Sequence, residues 1–265
     1  MKYRMGELTA AEFKELLPTR PVVLLPMGSH EDQGPHAPMG DYLSAERMAE
    51  LIAQRATEAG TRTLVAPVVP FGGSDYFGTV PGGIALRQET LRAVLDDMLA
   101  CLLRHEIKRI IVINGHYGNA WPVHFATQEV WKARRVLIPS FYVWKVACVV
   151  LPQIVGAERA EQALGHGADP LTSLAWHLFP QFMRPDLIPA PHGQMEMMGL
   201  KVNNFGTMQF EGADIDVPLE LEHITPDGVL GADARLSSPE TGAKLAEALA
   251  AMGARFVAYY AAHAP

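Results

Sequence analysis

The chain has 265 residues, of which 49% are apolar and 19% charged, with a mean hydropathy of +0.06. That is enough apolar material for a full core and argues against a disordered chain. Its 22 basic and 29 acidic residues leave a formal charge of −7 with no block of like charge, a poor match for a phosphate backbone, so no nucleic-acid partner is expected.

The opening segment, Met1 to Phe13, lacks the apolar stretch of a secretory signal. No apolar run reaches the ~20 residues that span a bilayer. A cytoplasmic protein with no membrane partner is the expectation. Val22 to Leu25, between two prolines, reads as a buried strand and is followed by a loop rich in Gly and Pro. Leu43, Met48, Leu51 and Ile52 recur near helical spacing and predict a helix from Leu43 to Ala59. A second strand is expected over Leu64 to Val69, then glycine-rich turns from Phe71 to Gly83, whose spacing fits neither a phosphate loop nor a dinucleotide fingerprint. The next helix, Gln88 to Arg104, carries Leu91, Val94, Leu95, Met98, Leu102 and Leu103 on one face.

Ile110 to Ile113 is β-branched without polar alternation, as a parallel strand covered on both faces would be. A helix then leads to a fourth strand, Val136 to Pro139. Beyond Leu174 the pattern loosens into loops and short strands of the same domain, closed by a helix from about Pro239 to Ala261. Cys101 and Cys148 sit in apolar stretches and are expected as buried free thiols. The alternation predicts a single α/β domain over 1–265 with a mostly parallel sheet and helices on both sides. Ligands of such sheets gather at the carboxyl ends of the strands.

Polar clusters stand at those ends. After the first strand, Gly28 to Asp41 holds His30, Glu31, Asp32, His36 and Asp41 among Gly34, Pro35, Pro38 and Gly40. The turns let these side chains converge, and oxygen and imidazole donors suit Zn²⁺ or Mn²⁺. After the third strand comes Asn114-Gly115-His116-Tyr117-Gly118-Asn119, where flanking glycines can present the imidazole at the sheet edge. Asn114 or Asn119 could hold a loop carbonyl or fix the imidazole tautomer. A third cluster, Gly165 to Ser173, contains His166 and Asp169, the latter equally suited to cap a helix starting near Leu171.

These clusters together resemble the creatininase (creatinine amidohydrolase) family. Its pattern Gly-Ser-x-Glu-Gln-His-Gly-Pro-His-Leu-Pro, followed by Asp, is matched by Gly28 to Pro38 and then Asp41, one residue shorter before the Asp. Its Asn-Gly-His-x-x-Asn is Asn114 to Asn119. Its His-Ala-Gly-x-x-Glu-Thr-Ser corresponds to His166 to Ser173, with Leu171 in place of the Glu. The resemblance implies a three-layer α/β/α sandwich, one or two divalent metals per chain, hydrolysis of C–N bonds in small cyclic or linear amides, and homo-oligomers, often hexamers. It puts Glu31, Asp41 and His116 at the first metal. The second is weakened, since Gln33 and Gly118 replace a His and a Glu, leaving His36 and Asp169 as substitute ligands. The aromatic residue that stacks on creatinine is absent, with Gln162 and Leu164 in its place, so creatinine itself is not expected as the substrate.

In this reading the ion acidifies a water and polarises the amide carbonyl. His166 is the candidate proton shuttle, because imidazole titrates near neutral pH, and Asp169 could orient it. Gln33, Tyr117 and Trp144 are candidates for substrate contact, with Trp121 a further wall residue. Two alternatives remain open: a non-catalytic small-molecule binding or assembly protein on the same fold, and a metal-dependent lactonase or esterase.

Overall fold

Aliphatic residues without polar alternation build the central sheet. In the computed structural model, which describes residues 1–264, the strands β1 (Val22–Met27), β2 (Thr63–Val65), β3 (Ile110–Asn114) and β4 (Ser140–Tyr142) are all parallel. Their order is β2-β1-β3-β4. β1 and β3 share the longest register, from Val23 opposite Ile110 to Met27 opposite Asn114. The helices are α1 (Ala10–Leu16), α2 (Tyr42–Glu58), α3 (Gln88–Arg104), α4 (Ala120–Arg134), α5 (Val143–Val155), α6 (Ala157–Ala163), α7 (Leu171–Leu178), α8 (Leu221–Ile224) and α9 (Pro239–His263).

The twofold period of a strand splits the interior into two cores. Val22, Leu24, Ile111 and Ile113 pack with α2, α5 and α9 on one face. Val23, Leu25, Met27, Ile110 and Val112 pack with α3 and α4 on the other. The three-layer α/β/α arrangement expected of the chain is therefore present.

A second sheet lies in the irregular region. β5 (Glu196–Met197), β6 (Leu200–Asn204), β7 (Thr207–Phe210) and β8 (Ala213–Asp216) form an antiparallel meander over a small core of Val202, Met208, Leu219 and Ile224. Among the described residues no helix is long and apolar enough to cross a membrane.

Several expected boundaries move. The fourth strand begins at Ser140 instead of Val136, because Val136 and Ile138 are already buried against α3 and α4 while the ladder starts only where Pro139 accepts from the Val112 amide at 2.9 Å. The second strand stops at Val65, two residues before Pro67, which has no amide hydrogen to donate. Both cysteines are exposed, not buried. The buried stripe of α3 is Leu91, Leu95, Leu99 and Leu103, and Cys101 falls off it. Cys148 lies on α5 between the buried Ala147 and Val150, facing away from the core.

Candidate metal centre

Adjacent parallel strands deliver the centre. Beyond β1 the loop carries Glu31 and ends at Asp41, whose Oδ1 accepts from the Ser29 amide at 2.6 Å. Beyond β3, the Asn114 carboxamide braces the turn, accepting from the His116 amide at 3.0 Å and donating to the His116 carbonyl at 2.8 Å. Asn119, fully buried, donates to the Gly28 carbonyl at 3.0 Å and accepts from the Gly73 amide at 3.0 Å. It thereby joins the loops that follow β1, β2 and β3. Because β1 and β3 are neighbours, one ligand atom from each of Glu31, Asp41 and His116 lies within 4.8 Å of the other two.

The imidazole is aimed. His116 Nε2 lies 3.0 Å from the Gly73 carbonyl, which can only accept, so Nε2 carries a hydrogen and donates it. Nδ1 then faces Glu31 Oε1 at 3.0 Å and Asp41 Oδ2 at 3.2 Å. In the neutral ring that is a lone pair directed at two carboxylates, an arrangement that calls for a cation between them. The three residues are only 6%, 3% and 4% exposed. Burial pushes the Asp41 carboxyl up, and neighbouring Glu31 adds to this against the pull of His116. Burial also opposes ionisation of Glu31, but the His116 imidazolium outweighs it and holds Glu31 low. The two carboxylates in turn hold His116 well above the ordinary imidazole range despite its burial. Two buried acids that would otherwise depend on one histidine for compensation form an N,O,O donor set suited to Zn²⁺ or Mn²⁺.

The centre opens into a cavity of about 700 Å³. His166 stands in its wall, stacked on Phe77 at 4.7 Å and edge-on to Phe205 at 5.1 Å. Its Nδ1 donates to the Gly228 carbonyl at 2.8 Å, leaving Nε2 without a partner and 4.0 Å from Glu31 Oε1. The ring is therefore oriented by that carbonyl and the flanking aromatics, not by Asp169 as expected. Asp169 is buried, accepts from the Ser173 amide at 3.1 Å at the start of α7, and leaves Oδ2 unpartnered in the cavity wall. The capping role and the cavity position coexist.

Gln33, Tyr117 and Trp144 all line the cavity. Gln33 Nε2 donates to Glu31 Oε1 at 3.3 Å while its Oε1 has no partner. Trp144 also tethers the His116 loop by donating from Nε1 to the Gly115 carbonyl. Two candidates lie elsewhere. His36 is fully buried and lies outside the three-residue cluster, its Nε2 engaged at 3.1 Å with Thr172 Oγ1 of α7. Trp121 is exposed on α4, stacked on Phe125 at 5.7 Å.

Sequence reasoning missed Tyr76, Phe77, Tyr142, Phe205 and Asp216 in the lining. Burial pushes the Tyr142 phenol well above its ordinary range. Phe205 sits in the turn between β6 and β7, and the run Asn203-Asn204-Phe205-Gly206 was a legible hairpin signal. Tyr76 and Phe77 had no such marker.

A parallel α/β sheet with a buried acid–acid–histidine cluster at its carboxyl edge defines a class of metal-type centres. The family described as Creatininase: Creatinine amidohydrolase matches residues 6–257, and the chain belongs to it. A creatinine amidohydrolase of Pseudomonas putida is 27% identical over 202 residues, covering 69% of this chain and 75% of that protein. A mycofactocin precursor peptide peptidase of Mycobacterium ulcerans (strain Agy99) is 30% identical over 134 residues, 48% of this chain. That match spans about half (52%) of the peptidase's own length. A 3-dehydro-scyllo-inosose hydrolase of Thermotoga maritima is 26% identical over 257 residues, covering 91% and 78% of the two chains. Among solved structures, one described as Creatininase Mn superposes with a TM-score of 0.77 at 22% identity, covering all of both chains. A creatininase variant described as of Zn-Zn type gives 0.74 at 21% identity, covering 100% of this chain and 99% of that one. The relatives are hydrolases whose names differ in the molecule acted upon, and the solved structures establish the shared fold.

Proposed function

We propose that the chain is a metal-dependent amidohydrolase that cleaves a C–N bond of a small cyclic or linear amide other than creatinine. The observation that carries this reading is the convergence of His116 Nδ1 with Glu31 Oε1 and Asp41 Oδ2, at 3.0 and 3.2 Å, inside a buried, cavity-facing cluster. A Zn²⁺ or Mn²⁺ ion held by these three residues would supply Lewis acidity toward the carbonyl and lower the pKa of a water toward ~7. His166 Nε2, free and facing Glu31, takes a proton from the attacking water and returns it to the leaving nitrogen. Phe77 and Phe205 hold its ring plane and keep bulk water from that face. Trp144 and Tyr117 offer apolar walls, and Gln33 Oε1 and Asp169 Oδ2 accept hydrogens from the substrate's N–H groups.

The exposed aromatic face of α4, with Trp121 stacked on Phe125, supports the reading of a homo-oligomer. The amide reading and its lactone counterpart use the same groups. A non-catalytic binder on this fold is favoured only by the departures at Gln33, Gly118 and Leu171. Assay of lactams, hydantoins, formamides and lactones side by side, with and without a chelator, separates these readings. Chelator-sensitive turnover of an amide is expected, with His166→Gln reducing kcat by about 10²- to 10⁴-fold. Full turnover by metal-free protein, or turnover of lactones alone, contradicts the proposal.

A further inference from the structure

We propose that each chain holds a single divalent ion and that the Gln33 carboxamide stands where a second ion would need a ligand. The proposal shares its one ion with the hydrolase reading and otherwise concerns only what lies beside it.

Paired ions in a hydrolytic site sit about 3.5–4 Å apart, so a second ion beside the first would need further donors on the cavity side. None is available. Gln33 is neutral, and its amide nitrogen is already directed at Glu31 Oε1. Gly118 has no side chain and has no room for one: a Cβ there would overlap the Gly73 carbonyl oxygen and lie 2.5 Å from His116 Nε2. Any ligand built at that position displaces the very contact that aims His116 at the first ion. Leu171 is apolar. His36 is engaged with Thr172 beneath the loop. Asp169 keeps one free oxygen, yet among the described residues the only cluster of three donors within 4.8 Å of one another is Glu31, Asp41 and His116.

The charges agree with this count. One divalent ion against the Glu31 and Asp41 carboxylates and a neutral His116 makes the buried cluster neutral. A second ion would leave two positive charges there with Asp169 and Asp216 in the wall, both outside the three-donor cluster, to oppose them, and an unpaired buried charge is costly. Gln33 Oε1 is then left as a buried acceptor facing the cavity, free for a hydrogen of water or substrate.

The test is a titration of chelator-stripped full-length protein with MnCl₂, followed by calorimetry, native mass spectrometry and electron paramagnetic resonance. One ion per chain with the spectrum of an isolated Mn²⁺ is expected. Gln33→Ala should keep that stoichiometry with affinity changed less than about threefold, whereas Glu31→Gln should weaken binding by about tenfold or more. Two ions per chain with a spin-coupled spectrum overturns the single-ion proposal and leaves the hydrolase reading intact. Loss of the ion in Gln33→Ala makes Gln33 a ligand and overturns its assigned place. No ion at all overturns both readings, and one ion without turnover of any amide overturns only the hydrolase reading.

Discussion

Asn119 uses both ends of its side chain on backbone, at Gly28 and Gly73, and a third contact reaches Asn114 Oδ1 at 3.4 Å. Removing it as Asn119→Ala strands a buried carbonyl and a buried amide, each worth about 1–3 kcal/mol when unsatisfied. The variant should lose about 2–4 kcal/mol in urea denaturation. An unchanged midpoint would mean that water substitutes freely in the site. At this scale much was legible. Glu31, Asp41 and His116 are side chains of distinctive chemistry in loops bent by glycine and proline, and the sequence displays such groups directly. The partner that aims His116 is different in kind, since it is the backbone carbonyl of Gly73. A main-chain oxygen has no residue type to read, and the Phe71–Gly83 stretch passed for turns alone.

Between elements, the tightest approach is that of α9 to α7. A Cβ at Gly242 would overlap the Ser173 carbonyl oxygen and lie 2.8 Å from the His177 Cβ. Gly242→Ala therefore has to push the two helices apart and should cost about 1–3 kcal/mol, read as a lowered melting temperature. A neutral or stabilising effect would show the helices free to slide. The β6–β7 turn belongs to this scale too. Phe205→Ala removes one side of the His166 clamp, a contact of about 0.5–1.5 kcal/mol, so a roughly 2- to 10-fold fall in kcat is expected with ion content unchanged. Loss of the ion instead would make the turn part of the metal centre. Long helices and the Ile110–Asn114 strand announce themselves by period, whereas the meander of β5 to β8 does not. Its strands are two to five residues long and largely exposed, too short to establish an alternation.

For the molecule as a whole, the order β2-β1-β3-β4 does the assembling, since it makes neighbours of the two strands that carry the cluster. Order in a parallel sheet depends on crossover connections that no local pattern encodes. The convergence could therefore be anticipated from the family resemblance, whereas residue spacing alone leaves it open. The cavity has no Lys or Arg among its lining residues, while Asp169 and Asp216 stand in its wall. Neutral or cationic amides should accordingly be turned over in preference to carboxylate-bearing analogues of the same shape. A preference for the anionic analogue would show that a cationic group outside this lining governs selection. An ion that binds only the folded chain stabilises it by linkage, so on the proposed reading Zn²⁺ or Mn²⁺ at a hundredfold excess over its Kd should stabilise the protein by about 2.7 kcal/mol.

All of this depends on where an ion goes. Anomalous diffraction from crystals soaked in Mn²⁺ or Zn²⁺, collected at the metal edge, locates it directly. A peak bonded to Glu31, Asp41 and His116 Nδ1 at about 2.0–2.2 Å is the expected result. A saturated crystal with no peak among those three side chains, or with its strongest peak held by other residues, contradicts the account.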